Sequence, residues 1–233
     1  SRSMERQKKL HVGVIRFPGS NCDLDTLNFF RTFGHSAEFI WYKNKTLPSC
    51  DLLVLPGGFA FGDRVYTKAT EQYHIDPGTL AIHTPIMEAF RKAAQANMPI
   101  LGICNGFQIL VKAGLLPGVL AQNNSKKFFC DYVACNVTGN SFFGDRSILH
   151  KTFIVPVAHG YGKYMITKPE LKKLENNGQI FLKYTKLNPN GSLYNIAGVS
   201  NEQKTIFGMM PHPERSPDAH YFMRAIETYV TTH

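Results

Sequence analysis

Residues 101–108, Leu-Gly-Ile-Cys-Asn-Gly-Phe-Gln, constrain the fold more than any other stretch of this chain. Residues 98–101 read as a short buried strand and residues 108–113 as the start of a helix, so Cys104 falls where the chain must reverse direction sharply. A strand-to-helix elbow of this kind strains its central residue and projects the side chain outward. Glycines on either side, Gly102 and Gly106, permit the close backbone approach that the turn needs. The N-terminus of the following helix lowers a thiol pKa and offers backbone N–H groups to a developing oxyanion. Cys104 is therefore a candidate nucleophile. The plainer alternative is a small buried cysteine without chemistry, a common fate of this residue type. Whether the chain also supplies a base decides between them.

The segments around the elbow predict an α/β fold. Residues 10–17 form a first strand, closed by the turn Pro18-Gly19-Ser20-Asn21. Asn21 or Asp23 caps a helix with Leu24, Leu27, Phe30 and Phe33 on one face, and Gly34 ends it. Residues 37–41 and 51–55 are short and apolar, in the manner of parallel strands covered on both faces. This rhythm indicates a doubly wound, mostly parallel sheet flanked by helices. The third strand runs into Pro56-Gly57-Gly58-Phe59. Ligands in open α/β sheets sit beyond the carboxyl ends of strands, where this loop and the elbow would meet, and Gly58 is the candidate to turn a backbone N–H toward a reaction centre.

Residues 62–80 lack a clean period and read as an irregular excursion. A helix over residues 85–97 turns Ile86, Phe90 and Ala93 or Ala94 inward. Beyond the elbow helix come strand candidates at 128–137, 149–157, 179–184, 196–199 and 205–210. A loop at 139–144 carries Phe142 and Phe143, read as candidates for exposure, and Asn188-Pro189-Asn190-Gly191-Ser192 turns tightly. A last helix over residues 218–229 packs through Phe222, Ala225 and Ile226.

The base is sought in Met210-Pro211-His212-Pro213-Glu214-Arg215, a loop stiffened by two prolines. In an extended segment His212 and Glu214 point the same way. The imidazole would take the proton from Cys104 and return one to a leaving amine, while the carboxylate selects the ring tautomer. The bland alternative makes His212 a surface histidine and Glu214 the ion-pair partner of Arg215. His159, in the glycine-rich turn Ala158-His159-Gly160-Tyr161-Gly162, is a second candidate, for contact with substrate or a neighbouring protein. His74, His83 and His220 have no carboxylate arranged beside them.

Composition narrows the remaining classes. The 233 residues suffice for one domain, taken as residues 4–233, with Ser1-Arg2-Ser3 read as an expression-vector remnant ahead of Met4. The start has no hydrophobic signal core and no stretch is long and apolar enough to cross a membrane, so a cytoplasmic protein without a membrane partner is expected. Five irregularly spaced cysteines argue for reduced thiols and against a disulfide framework or a structural metal. The net charge of +9 is spread along the chain with no base-reading motif, which argues against nucleic acid and for an anionic substrate or protein partner.

With residues 102–108 and the pair His212 and Glu214 in view, the chain resembles the class I glutamine amidotransferases, whose pattern is glycine, any residue, cysteine, any residue, glycine, with a downstream histidine and glutamate. The blocks at 13–23, 55–59, 101–110, 113–118, 188–198 and 208–215 are similar to those of the family of glutaminase subunits of phosphoribosylformylglycinamidine synthase. That resemblance implies hydrolysis of L-glutamine to glutamate and ammonia, with Cys104 carrying a γ-glutamyl thioester and His212 and Glu214 completing a triad. It implies an oxyanion hole from the backbone of Gly58 and Asn105 and substrate contacts from Gln108 and Phe59. It implies a flavodoxin-like amidotransferase fold and no cofactor in this subunit. ATP and Mg2+ would belong to a large synthetase partner that makes formylglycinamidine ribonucleotide in purine biosynthesis, often bridged by a small third protein. Two departures stand out: about ten more residues than usual before Pro85, around residues 66–78, and Tyr161 where the family often has glutamate. Rival readings are a glutaminase feeding another acceptor, such as a nucleotide or chorismate, and a non-catalytic interaction subunit. The peptidase-like members of the fold take their histidine from beside the cysteine, where this chain has Asn105.

Overall fold

Short apolar runs become the middle of a sheet. The computed structural model describes residues 8–20, 22–58 and 78–233. Among these, the strands are β1 (His11–Arg16), β2 (Ser36–Trp41), β3 (Leu52–Leu55), β4 (Ile100–Ile103), β5 (Val119–Ala121), β6 (Phe129–Val137), β7 (Thr152–His159), β8 (Lys163–Met165), β9 (Ile180–Tyr184), β10 (Ile196–Ser200) and β11 (Ile206–Met209). The helices are α1 (Asp23–Thr32), α2 (Pro85–Gln95), α3 (Asn105–Lys112), α4 (Lys168–Asn176) and α5 (Ala219–Thr232).

Nine strands form one sheet in the order β2-β1-β3-β4-β11-β10-β9-β6-β7, while β5 and β8 pair separately. The ladders from β2 through β11 are parallel, and those from β11 through β7 antiparallel. Every residue of β3, β4 and β11 is buried, as strands with helices on both faces require. The far end of the sheet curls back toward the middle. The N–H of His212, just past β11, donates to the Pro156 carbonyl on edge strand β7 at 2.9 Å.

Helix faces follow the 3.6-residue period. α2 begins with Pro85 in its first turn and buries Ile86, Met87, Phe90 and Ala94. α1 departs from expectation: it buries Thr26, Leu27, Phe29 and Phe30, whereas Leu24 is 54% exposed and Phe33 38%. Thr26 turns inward because its hydroxyl is satisfied by the Cys22 carbonyl at 3.1 Å. Of the two expected caps, Asn21 lies outside the described residues and Asp23 is the first residue of the helix itself. Cys22 occupies the cap position, and Asp23 is buried and ion-paired with Arg16 at 3.0 Å.

The expected exposure of Phe142 and Phe143 is also overturned. They are 0% and 3% exposed, in a ring cluster with Phe181, Phe207 and Phe222, with Phe143 and Phe207 centroids 4.2 Å apart. A loop between strands is exposed by default, but two adjacent phenylalanines bury enough area to pull it onto the core. α4, β5 and β8 were not anticipated. α4 carries a legible start: the Thr167 hydroxyl accepts from the Glu170 N–H at 3.4 Å and meets the Glu170 carboxylate at 3.0 Å.

Candidate active site

β3, β4 and β11 lie side by side and parallel, with Gly102 opposite both Leu55 and Gly208. The segments that leave their carboxyl ends, residues 56–58, 104–105 and 210–215, therefore converge although they are distant in sequence.

Cys104 sits between β4 and α3 at φ 53° and ψ −107°. For an L residue this is a strained conformation, costing on the order of 1–3 kcal/mol. Its neighbours hold it there: the Cys104 N–H donates to the Met209 carbonyl at 2.8 Å, and its carbonyl accepts from the Gln108 N–H at 3.1 Å. α3 starts at Asn105, three residues earlier than the sequence suggested, so Cys104 occupies the N-terminal cap position. The helix end presses against β3, and a Cβ at Gly106 would overlap the Leu55 carbonyl. Cys104 is 4% exposed, and its Sγ faces the Ala158 carbonyl at 3.4 Å.

His212 and Glu214 meet, though not through an extended segment. His212 is extended (φ −99°, ψ 96°), and Pro213–Arg215 then curl into a single 3-10 turn. The turn brings Glu214 Oε1 to 2.6 Å from His212 Nδ1, with side chains 0% and 2% exposed. An ionised carboxylate only accepts, so Nδ1–H donates to Glu214 and Nε2 is left for Cys104, which interacts with the ring by charge and as a hydrogen-bonding partner. Burial opposes the imidazolium, yet Glu214 and Cys104 outweigh it and hold the His212 pKa well above the ordinary histidine value. The imidazole is thus poised to take and keep the thiol proton. Arg215 does not pair with Glu214; it pairs with Asp25 and donates to the Cys22 Sγ at 3.2 Å.

Gly57 is a site residue that sequence reasoning passed over. A Cβ there would lie 2.5 Å from His212 Cε1 and 3.2 Å from Nδ1, so the imidazole stands directly over this glycine. The glycine pair was the available signal, but its value was placed on Gly58 alone. Gly58 follows Gly57 in the chain with φ +111°. Asn105, 2% exposed, is the first residue of α3 and donates its side-chain amide to Gln108 Oε1 at 2.9 Å. Gln108 in turn donates to the Tyr161 carbonyl at 2.9 Å. Phe59, His74 and nearly all of the 66–78 segment lie outside the described residues.

His159 is brought close to the site but not onto its surface. Its ring is 1% exposed between asparagine side chains, and burial with the nearby His212 charge lowers its pKa to about 4. The ring expected to contact substrate or a partner is buried in this structure and held between the side chains of Asn123 and Asn190. Tyr161, 7% exposed, contributes its backbone. Burial raises the thiols of Cys22, Cys50 and Cys135, Cys50 to about 11. No disulfide joins the five cysteines. Among the described residues no cluster of histidine, cysteine and carboxylate side chains could hold a metal ion, and no helix is long and apolar enough to cross a membrane.

Known proteins similar in sequence and fold give the chain its family. The CobB/CobQ-like glutamine amidotransferase domain family matches residues 9–227. Phosphoribosylformylglycinamidine synthase subunit PurQ of Thermomicrobium roseum is 43% identical over 219 residues, 90% of this chain and 89% of the relative. The protein of the same name from Wolinella succinogenes is 40% identical over 210 residues, covering 89% and 91%. Among solved structures, PurLQS from Thermotoga maritima superposes with a TM-score of 0.82 at 34% identity, covering 96% of this chain and 100% of that one. A glutamine amidotransferase from Thermotoga maritima shares the fold at a TM-score of 0.57 and 17% identity, over 97% and 84%. A strained cysteine at the end of β4, a buried histidine–glutamate pair at the end of β11 and this run of relatives place the chain in the CobB/CobQ-like glutamine amidotransferase domain family, and within it among the subunits named PurQ of phosphoribosylformylglycinamidine synthase.

Proposed function

We propose that this chain is the glutaminase subunit of a phosphoribosylformylglycinamidine synthase. It hydrolyses L-glutamine to glutamate and ammonia and supplies the ammonia to a synthetase partner. The observation that carries the reading is the elbow thiol of Cys104 beside a ring already held by Glu214.

The steps follow from the side chains. His212 Nε2 takes the thiol proton, and the thiolate attacks the side-chain amide carbon of glutamine. The developing oxyanion is received at the amino end of α3 by the Asn105 N–H, together with that of Gly58. His212 returns the proton to the nitrogen, the C–N bond breaks and ammonia leaves. The γ-glutamyl thioester remains on Cys104. Water, deprotonated by the same imidazole, then releases glutamate and restores the thiol. Gln108, braced between Asn105 and Tyr161, borders the place where the substrate backbone would lie.

Partner and compartment complete the proposal. A large synthetase subunit would use ATP and Mg2+, with a small subunit bridging the assembly, in line with the solved PurLQS complex. This chain itself requires no cofactor, acts as a single domain and works in the cytoplasm, a setting in keeping with its free thiols.

In the reconstituted complex, Cys104→Ala should abolish glutamine-dependent amidine formation while leaving synthesis from ammonium intact. Loss of both activities in a complex that still assembles, or retention of both, refutes the division of labour.

A further inference from the structure

The turn at residues 158–162 has a divided set of backbone groups. Four of them are tied to the scaffold: the His159 carbonyl accepts from the Asn123 side-chain amide at 2.9 Å, and the Gly160 carbonyl from the Asn123 N–H at 2.9 Å. The Gly162 N–H donates to Asn123 Oδ1 at 3.0 Å, and the Gly162 carbonyl accepts from the Ser192 hydroxyl at 3.0 Å. Two others face the reaction centre, the Ala158 carbonyl toward Cys104 Sγ and the Tyr161 carbonyl toward Gln108 Nε2.

His159 stands at the middle of this arrangement. Asn123 Nδ2 is 3.3 Å from its Nδ1 and Asn190 Nδ2 is 3.3 Å from its Nε2. Both Asn123 amide hydrogens are already directed to carbonyls, of Lys127 and of His159 itself. The ring therefore carries its proton on Nδ1, toward its own carbonyl, and accepts at Nε2 from Asn190. Asn190 is oriented for this by the Ser192 N–H, which donates to its Oδ1 at 3.0 Å, and by the Tyr184 hydroxyl, 3.2 Å from its Nδ2. Phe129 stacks on the ring at 6.3 Å, and a Cβ at Gly162 would lie 2.9 Å from it, so the imidazole cannot slide. A second proton on Nε2 would face the Asn190 N–H. Only the neutral ring fits.

We infer that Asn123, His159 and Asn190 form a positioning clamp that holds the 158–162 turn, so that its Tyr161 and Ala158 carbonyls set Gln108 and the wall beside Cys104 for substrate. The inference rests on the glutamine site proposed above. It also assigns a task to the Asn188–Ser192 turn, whose sequence motif otherwise has no part in the chemistry. The clamp acts on substrate seating through Gln108 and leaves the thiol–imidazole pair intact. Its loss is read in KM and spares the nucleophile.

The test uses Asn190→Leu, which keeps the volume and removes the amide, in the complex with the synthetase. The expected result is a KM for glutamine raised at least tenfold, kcat within threefold, ammonium-driven synthesis unchanged and Cys104 still alkylated by iodoacetamide. A KM within twofold of wild type overturns the clamp. So does a fall in kcat alone, which would assign these residues to the chemistry. If Asn190→Leu does not fold, Asn190→Ser decides by the same thresholds. Failure of the glutamine site itself is seen separately, as glutamine-dependent synthesis surviving in Cys104→Ala.

Discussion

Replacing Gly57 by alanine should cripple glutamine use through one methyl group. The added Cβ would stand 2.5 Å from His212 Cε1, whereas carbon atoms rest about 3.5 Å apart, so the ring must retreat by about 1 Å. Gly57 does not occupy the left-handed region, so its backbone accepts alanine and the effect is steric. The ring has little freedom to move, since Nδ1 is bonded to Glu214 at 2.6 Å and the backbone N–H to Pro156 at 2.9 Å. A misplacement of about 1 Å in a catalytic group costs on the order of a hundredfold in rate, or about 2.7 kcal/mol of barrier. The assay is kcat/KM for glutamine-dependent amidine formation by the reconstituted complex, with ammonium-dependent synthesis and the melting temperature as controls. A variant within threefold of wild type, with controls unchanged, would refute the claim that His212 is held over Gly57.

Further outcomes follow from the titrating groups. A glutamine-like chloroketone should label Cys104 alone, because burial raises the thiols of Cys22, Cys50 and Cys135, whereas excess iodoacetamide should also modify exposed Cys130; peptide mass spectrometry that finds the chloroketone on Cys22 would count against the assignment. Glu214→Gln should lower the His212 pKa, since it removes the strongest charge holding the imidazolium, and an unmoved Hε1 NMR titration would contradict that cause. His159 titrates near 4 when folded and near 6.5 when unfolded, so the unfolded chain takes up the extra proton and stability falls as pH drops through that window, by up to about 3 kcal/mol. His159→Gln should flatten this slope in urea denaturation compared at pH 7 and 4.5, and parallel profiles for the two proteins would rule the contribution out. The raised His212 pKa works the other way, adding stability below about 6.5 that fades as pH climbs through the folded value, and it is common to both proteins.

Much of the site was legible because its residues carry local signatures. The glycine-flanked cysteine after an apolar run marks an elbow without knowledge of the rest of the chain, and the prolines around His212 mark a stiff loop. What was not legible depends on contacts between distant segments. That Gly57 receives a histidine ring, that Asn123 and Asn190 grip His159, and that Pro156 anchors His212 follow from the curl of the sheet, which no local pattern encodes. The same holds for Phe142 and Phe143, whose loop sequence argues for exposure until Phe181, Phe207 and Phe222 surround them. In α1 a threonine took an inward position that a purely apolar face assigns elsewhere, because a local hydrogen bond relieved its polarity.

The return of β7 onto the histidine loop bears on how this margin of the sheet is kept from pairing with other chains. An outermost strand exposes unpaired amide and carbonyl groups, a template on which other chains can add. Here Pro156 has no amide to offer and its carbonyl is taken by His212, while the Ile154 carbonyl accepts from Ser216 at 2.6 Å and its N–H reaches Asp218 at 3.3 Å. The segment that delivers the base therefore doubles as a seal along the sheet margin. Variants that loosen it would become sticky as well as inactive, so clumping in a preparation would report on the health of the reaction centre.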